Sequence, residues 1–554
     1  MHPVFNNLDI VSHIVSYTLG LVEKEAAPRY RKYNHWGVSA ELCKIGHICH
    51  IIRAAVKQQL QDKLIIRISS SPKGAAFRGE HLYCATSIPI NSLDTSLVRK
   101  VTLQFDHFTD SDVFVAKLLD MFETRDWSSL RSVCMCQRSR DKVWLPGVVD
   151  EEGLEPTEVT RRIMDLVPST NGLRVEYKDW WTGTTEGFEA VIGQRAATLS
   201  ELSLDQLHRF NISRLPLPSL TVLDVGSLNG DDTLSALPQL CTGVLRKLVL
   251  GDITRRGFIS SFSGKVGDVV VFSELEHLSF SFNYDENENV DMDSPAHVGM
   301  FSFPKLRYLY IANDTTRLRY FFQNFFGSPL SRLHVQGRCS FLRNVDFSIF
   351  TQLEDFYMYL EYLQHGEAER IHRRVVTAGI PLRLVTLAIN GSYELPYVAP
   401  TGCPLVQKYE TAAVMNASQL YEALAHMPLA FRFTFRYRST NFRSVKVKNI
   451  VIALGRAKLK PLNSKVQVLQ VLDSMNTGNI DGSTISMELG ELLLVIARLP
   501  MLQILEINAD PEECKQLLRQ VMQRFQSKGL GQKLSHFDTL QVIRAREYSS
   551  DMFD

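Results

Sequence analysis

The sequence predicts an α/β solenoid, a curved parallel sheet with helices along its outer side, preceded by a small all-α module at the N-terminus. Three observations predict it. One short apolar pattern recurs throughout the chain. Segments with helical spacing alternate with its copies. Residues 1–61 lack the pattern and carry two helical apolar runs instead.

The chain has 554 residues, more than one hydrophobic core usually holds, so several domains or an elongated repeat array are expected. Apolar residues make up 45% and charged residues 22%, which is ordinary for a globular protein. A formal net charge of +1 gives no whole-chain reason to expect nucleic acid or a membrane as partner. The nine cysteines are too thinly spread for a disulfide framework, and the first residues lack the basic-then-apolar order of a secretion signal. No apolar run approaches the ~20 residues that span a bilayer. The expected setting is therefore reduced and intracellular, cytoplasmic or nuclear, and the Asn-x-Ser/Thr triplets are read as chance.

The recurring pattern is apolar, two variable, apolar, one variable, apolar. Its upstream copies start at Val98, Leu130 and Leu199. Then come Leu220-x-x-Leu223-x-Val225, Leu245-x-x-Leu248-x-Leu250 and Leu275-x-x-Leu278-x-Phe280. Leu306, Leu330, Leu353 and Leu384 open the next four, and Val466 and Leu502 open two more. Looser matches sit at Phe433/Phe435, Leu540/Val542 and Val175/Tyr177. The apolar-x-apolar end of each copy has the period of a strand with one buried face. Helical spacing separates copies at Asp112–Phe122, around Leu420 and Leu424, and from Ser483 to Leu499. Pro511 followed by Glu512 and Glu513 opens another helix, as proline and acids do at a helix N-terminus. A unit of roughly 20–45 residues is the range of repeat proteins. A non-repeat α/β fold is the competing reading, but no Gly-rich phosphate loop opens any helix. The expected organisation is residues 1–61 helical module, 62–97 linker and N-terminal cap, 98–545 solenoid, and 546–554 tail.

These repeats resemble the leucine-rich repeats with long helical units of the ribonuclease-inhibitor-like class. The resemblance covers Val98 to Val542. It lacks the regular Asn or Cys after the apolar triplet. It implies a scaffold that binds proteins rather than an enzyme, with no cofactor.

At the N-terminus, Asn7 stands as an N-cap. Leu8, Val11, Val15 and Leu19 share one helical face, and Ile10, Ile14 and Tyr17 another. Leu42, Ile45, Cys49, Ile52 and Val56 form a second helical run. Residues 7–17 resemble the opening of an F-box, and residues 42–53 resemble its later Val-Cys-Arg-x-Trp-Arg segment. It is a degenerate F-box, with Leu8-Asp9 in place of Leu-Pro and Ile52 at the tryptophan position. The resemblance implies that Leu8, Ile10, Val11, Ile14 and Val15 dock a Skp-type adaptor of a cullin-type ubiquitin ligase. The repeats would then select the substrate. The alternative is a helical pair that only caps a leucine-rich-repeat scaffold unrelated to ubiquitination.

The sequence offers little catalytic or metal-binding chemistry. Cys43, His47, Cys49 and His50 cluster, but a structural zinc site needs four converging ligands and helix packing explains these. No nucleophile elbow or His-Glu-x-x-His stands in the sequence.

If the last two apolar residues of each copy point inward, the residues between them form the concave face. That comb holds Tyr308, Tyr310, Arg332, His334, Gln336, Tyr357 and Tyr359, then Arg432, Thr434 and Arg436. Tyrosine and arginine are common interface anchors, although aromatics also favour strands for packing alone. Between Glu422 and Asp473 there is no acidic residue. In Phe431–Arg438 the aromatics alternate with Arg432, Arg436, Arg438 and Thr434, so period two buries the rings and presents the arginines. Arginine forks suit carboxylate and phosphate oxygens, so an acidic or phosphorylated protein partner is expected. A solvated basic face and nucleic-acid binding are the rival readings. The acidic loop Asp285–Asp293 and the proline-rich stretch Tyr393–Pro404 are expected as loops on the array.

Overall fold

A computed structural model describes residues 63–69, 83–84, 95–107, 112–137, 156–168, 170–177, 186–204, 217–226, 243–253, 269–282, 301–313, 321–337, 340–360, 365–389, 395–437, 464–473, 482–508, 510–527 and 540–544. The module expected at 1–61, with the residues Leu8, Ile10, Val11, Ile14 and Val15 read as docking an adaptor and the Cys43–His50 cluster, lies outside the described residues. So do the acidic loop and the tail 546–554. The chain divides into two compact units, one running to Ile253 and the other taking up the chain from Gly264.

The first unit carries eight described strands: β1 (Lys63–Ser69), β2 (Tyr83–Cys84), β3 (Lys100–His107), β4 (Ser132–Gln137), β5 (Gly172–Tyr177), β6 (Glu201–Leu204), β7 (Val222–Val225) and β8 (Lys247–Ile253). β2 runs antiparallel on β1, and from β1 through β3 to β8 the strands pair in parallel, in chain order. The sheet thus begins ahead of Val98, inside the stretch read as linker and cap. Helices α1 (Asp112–Thr124), α2 (Pro156–Leu166) and α3 (Glu186–Arg195) connect β3 to β6, and neighbouring helices pack together. Register sets Val101, Val133, Leu173, Leu202, Leu223 and Leu248 side by side, and all six are buried. This row explains the pattern, because each copy supplies one apolar side chain to a shared stripe. It also moves one copy. Leu173 occupies the row, so the copy in β5 is Thr170-x-x-Leu173-x-Val175 and not the one read from Val175 and Tyr177. Thr170, 1% exposed, takes the place of the first apolar residue, which hid this copy.

The second unit repeats the plan. Its strands are β9 (Val270–Val271), β10 (His277–Phe282), β11 (Phe301–Ser302), β12 (Tyr308–Asn313), β13 (Arg332–Gly337), β14 (Asp355–Leu360), β15 (Leu384–Ile389), β16 (Leu395–Pro396), β17 (Lys408–Val414), β18 (Arg432–Tyr437), β19 (Val468–Asp473), β20 (Ile504–Ile507) and β21 (Gln541–Arg544). β10, β12 to β15 and β17 to β21 pair in parallel, in chain order, and β9 and β11 form a separate short pair. Helices α4 (His365–Thr377), α5 (Ala417–His426), α6 (Gly482–Ile496) and α7 (Pro511–Ser527) fill the later connections. Asn416 caps α5, with Gln419 returning the bond in a reciprocal capping box. Short 3₁₀ turns at Phe321–Phe325, Ser340–Asn344 and Phe347–Ile349 stand where helices would otherwise be. Large rings fill the space there. Phe322, fully buried, packs against Phe325, Phe341 and Phe350.

Two details correct the sequence reading. Val385 and Leu387, both buried, align with Phe356 and Met358, so the copy in β15 is Leu382-x-x-Val385-x-Leu387. Leu384, read as the opening core residue, is 37% exposed on the other face. The proline-rich stretch is anchored where it is described. β16 pairs with Ala413–Val414 at the end of β17, and Cys403 and Val406 are fully buried. Gly402 N–H donates to the Val376 carbonyl at 2.8 Å, at the end of α4. The fold class is therefore α/β, with parallel strands paired in chain order and helices or 3₁₀ turns between them, an arrangement compatible with a solenoid. Among the described residues no helix is long and apolar enough to cross a membrane.

Candidate interaction surface

Strand alternation in the second unit sends Leu309, Leu333, Phe356, Val385, Tyr409, Phe433 and Leu469 into the core. The residues between them face the other side of the sheet. Register aligns Tyr308, Arg332, Asp355, Leu384, Lys408 and Arg432 in one row across six strands. A second row runs Ser279, Tyr310, His334, Tyr357, Thr386, Glu410, Thr434 and Gln470. The predicted residues Tyr308 to Tyr359 therefore do share one face.

At the β10–β14 end the face is aromatic. His277 stacks on Tyr308 with centroids 4.1 Å apart, Tyr308 meets His334 edge-on at 5.1 Å, and His334 lies 5.4 Å from Tyr357. The Tyr308 hydroxyl is 3.3 Å from His334 Nδ1, and His334 Nε2 is 3.2 Å from Asp355 Oδ2. A neutral imidazole protonated on Nε2 satisfies both, accepting from Tyr308 and donating to Asp355. Partial burial holds the Tyr308 hydroxyl above its ordinary pKa, helped by Tyr310 and Asp355 and opposed by Arg332. The Tyr310 hydroxyl donates to Gln336 Oε1 at 3.0 Å. These bonds fix the ring directions.

At the β15–β18 end the face is ionic. Glu410, 8% exposed, has its Oε1 3.1 Å from Lys408 Nζ and 3.5 Å from Arg432 Nε. Its Oε2 accepts from the Thr386 hydroxyl at 3.2 Å. A buried carboxylate is tolerable only with such partners. Arg432 is thus held against a carboxylate, where alternation alone had presented it as part of an uncompensated row. Arg436 is half-buried on the same face, and Arg438 lies outside the described residues. Thr434, expected on the open face, is 2% exposed and donates to Gln470 Oε1 at 3.1 Å.

Sequence reasoning missed His277, Asp355, Lys408, Glu410 and Gln470. Each sits at the same strand position as a residue it found. The copy in β17, Val406-x-x-Tyr409-x-Thr411, was invisible because a tyrosine and a threonine occupy its apolar places.

No family model matches this sequence, and comparison with curated proteins returns no match.

Proposed function

We propose that this chain is a non-enzymatic protein-interaction scaffold of the leucine-rich-repeat type, which binds a partner protein on the outward sheet face of β10 to β18. The observation that carries this is the register row Tyr308–Arg332–Asp355–Leu384–Lys408–Arg432 with its companion Tyr310–His334–Tyr357. Half-exposed aromatic and arginine side chains there are oriented by hydrogen bonds and ring contacts rather than left mobile, which lowers the entropy lost on binding. An acidic or phosphorylated partner suits the cationic end.

The finer reading is a substrate-recognition subunit of a cullin-type ubiquitin ligase. Its support is the resemblance of residues 7–17 and 42–53 to two segments of an F-box, placed ahead of repeats. Direct capture of a purified Skp-type adaptor by the full chain tests it. Wild type should retain the adaptor, and the pair Leu8→Asp, Ile14→Asp should lose it. A wild-type chain that never retains the adaptor leaves a repeat scaffold outside ubiquitination. Partner recognition is tested separately by Tyr357→Asp and by Arg432→Glu with Arg436→Glu, which should abolish partner recovery while adaptor capture persists.

A further inference from the structure

We infer that Tyr308, His334 and Asp355 form a proton-operated switch that strengthens the hold of this face on an acidic partner in mild acid, an inference that rests on the partner-binding role proposed for the face. Asp355 is the one carboxylate in the row Tyr308–Arg332–Asp355–Leu384–Lys408–Arg432. It stands between Arg332 and the two cations Lys408 and Arg432, so an acidic segment lying along the row meets repulsion there. His334 Nε2 lies 3.2 Å from Asp355 Oδ2, and a proton taken up by the imidazole offsets that carboxylate from the neighbouring strand. With His334 neutral, the outward positions of β12 to β14 carry one fixed cation, Arg332, and one fixed anion, Asp355. Proton uptake on His334 leaves them with one positive charge in excess and extends the cationic row back to β13.

The same proton reverses a hydrogen bond. In the neutral ring Nε2 keeps its proton for Asp355, and Nδ1, 3.3 Å from the Tyr308 oxygen, accepts from the hydroxyl. A proton arriving from water has one open place, Nδ1. The Nδ1–H then donates to the Tyr308 oxygen, and the hydroxyl turns its own proton towards a partner. Partial burial holds the Tyr308 pKa above its ordinary value, so the hydroxyl keeps that proton throughout. The acid state thus offers an acidic partner a donor where the neutral state offers an acceptor. The His334 and Asp355 side chains are 25% and 19% exposed, which leaves both open to water. The titratable and charged groups facing the ring are Tyr308 and Tyr310 from β12, Asp355 and Tyr357 from β14, and Arg332 on its own strand. His277 stacks on the Tyr308 ring at 4.1 Å. Imidazole is the side chain that ordinarily changes charge between about pH 5 and 8, and His334 and His277 are the two in this set.

The test is NMR of the full chain carrying isotope-labelled histidine and tyrosine, with the His334 and Tyr308 signals assigned by His334→Gln and Tyr308→Phe. At about pH 8 His334 should hold its proton on Nε2 alone, and at about pH 5 on both nitrogens. The Tyr308 ζ-carbon should shift with the same midpoint. That shift should survive in His277→Gln and vanish in His334→Gln. A ring protonated on Nδ1 at the higher pH, a His334 charge that does not change across the window, or a Tyr308 shift that follows His277 overturns the inference. Poly-L-aspartate is the acidic probe for the second arm, at fixed ionic strength. Between about pH 7.5 and 5.5 wild type should gain about fivefold more affinity for it than His334→Gln gains. An equal gain in the two proteins overturns the gating. Reversal seen by NMR with no poly-L-aspartate binding at either pH would instead sink the acidic-partner reading and support the switch alone.

Discussion

The Nε2 atom of His372 lies 3.1 Å from the hydroxyl of Tyr409, and both side chains are fully buried. His372 comes from α4 and Tyr409 from β17, so the contact ties a helix to the sheet. Thr411, two residues further along β17, accepts from Ala413 N–H on its hydroxyl oxygen at 3.0 Å. With the imidazole neutral, the Tyr409 hydroxyl can donate to His372 Nε2 across the helix–sheet seam.

That neutrality makes stability depend on pH. Burial, with Arg373 nearby, lowers the His372 pKa from 6.5 to about 4. Above pH 6.5 the ring is neutral folded or unfolded, and its stabilising bond is intact. As pH falls from 6.5 towards 4 the unfolded chain takes up a proton that the folded chain refuses. Stability should drop through that window by on the order of 3 kcal/mol and level off below it. Urea midpoints across the window check this, and in His372→Gln that share of the slope should vanish.

Tyr409→Phe keeps the ring and removes the hydroxyl. It leaves a buried imidazole nitrogen without its partner. A loss of about 1–3 kcal/mol in unfolding free energy is expected, read by denaturation at neutral pH. A variant as stable as wild type would show that the buried bond contributes nothing net.

Gly402→Ala should detach the proline-rich stretch from α4. A Cβ at Gly402 would lie 2.7 Å from the Gly379 nitrogen and 2.8 Å from the Thr377 carbonyl carbon. Backbone atoms cannot give way cheaply, so about 1–3 kcal/mol of strain is expected. Proteolysis within residues 395–404 should become faster, and a resistant variant would argue against the tight seat.

Phe322→Ala should be the most damaging of these changes. It empties the centre of a ring cluster with Phe325, Phe341 and Phe350. Truncating a buried phenylalanine typically costs about 3–5 kcal/mol, and thermal unfolding of the second unit should report it.

Much of this fold was legible because one side-chain type repeats at one strand position. Leu223, Leu248, Leu309 and Leu505 mark a strand position that is apolar from copy to copy. The reading slipped where another residue type satisfied the same place. Thr170, Tyr409 and Thr411 hid two copies, and Leu384 displaced one, because an exposed leucine looks like a buried one in sequence. Helices α1, α5, α6 and α7 carried clear apolar faces or caps. In α4 the buried residues Ala368, Ile371, Val375 and Val376 have helical spacing, but fully buried His372 sits among them and blurs the face. On the candidate surface, alternation placed Tyr308 to Tyr359 correctly on one side. It could not foresee Glu410, because an ion pair across β17 and β18 depends on register between strands, which spacing within one strand does not contain.

Pairing in chain order also has a consequence for how the second unit comes to exist. Each of β12 to β15 and β17 to β21 pairs with the preceding long strand of the sheet, with only the short β11 and β16 intervening. Each pairing closes over a single repeat rather than over the whole chain, and a growing chain meets a finished edge that serves as template. Assembly can therefore keep pace with synthesis, one copy at a time, and the exposed edge is always the newest strand.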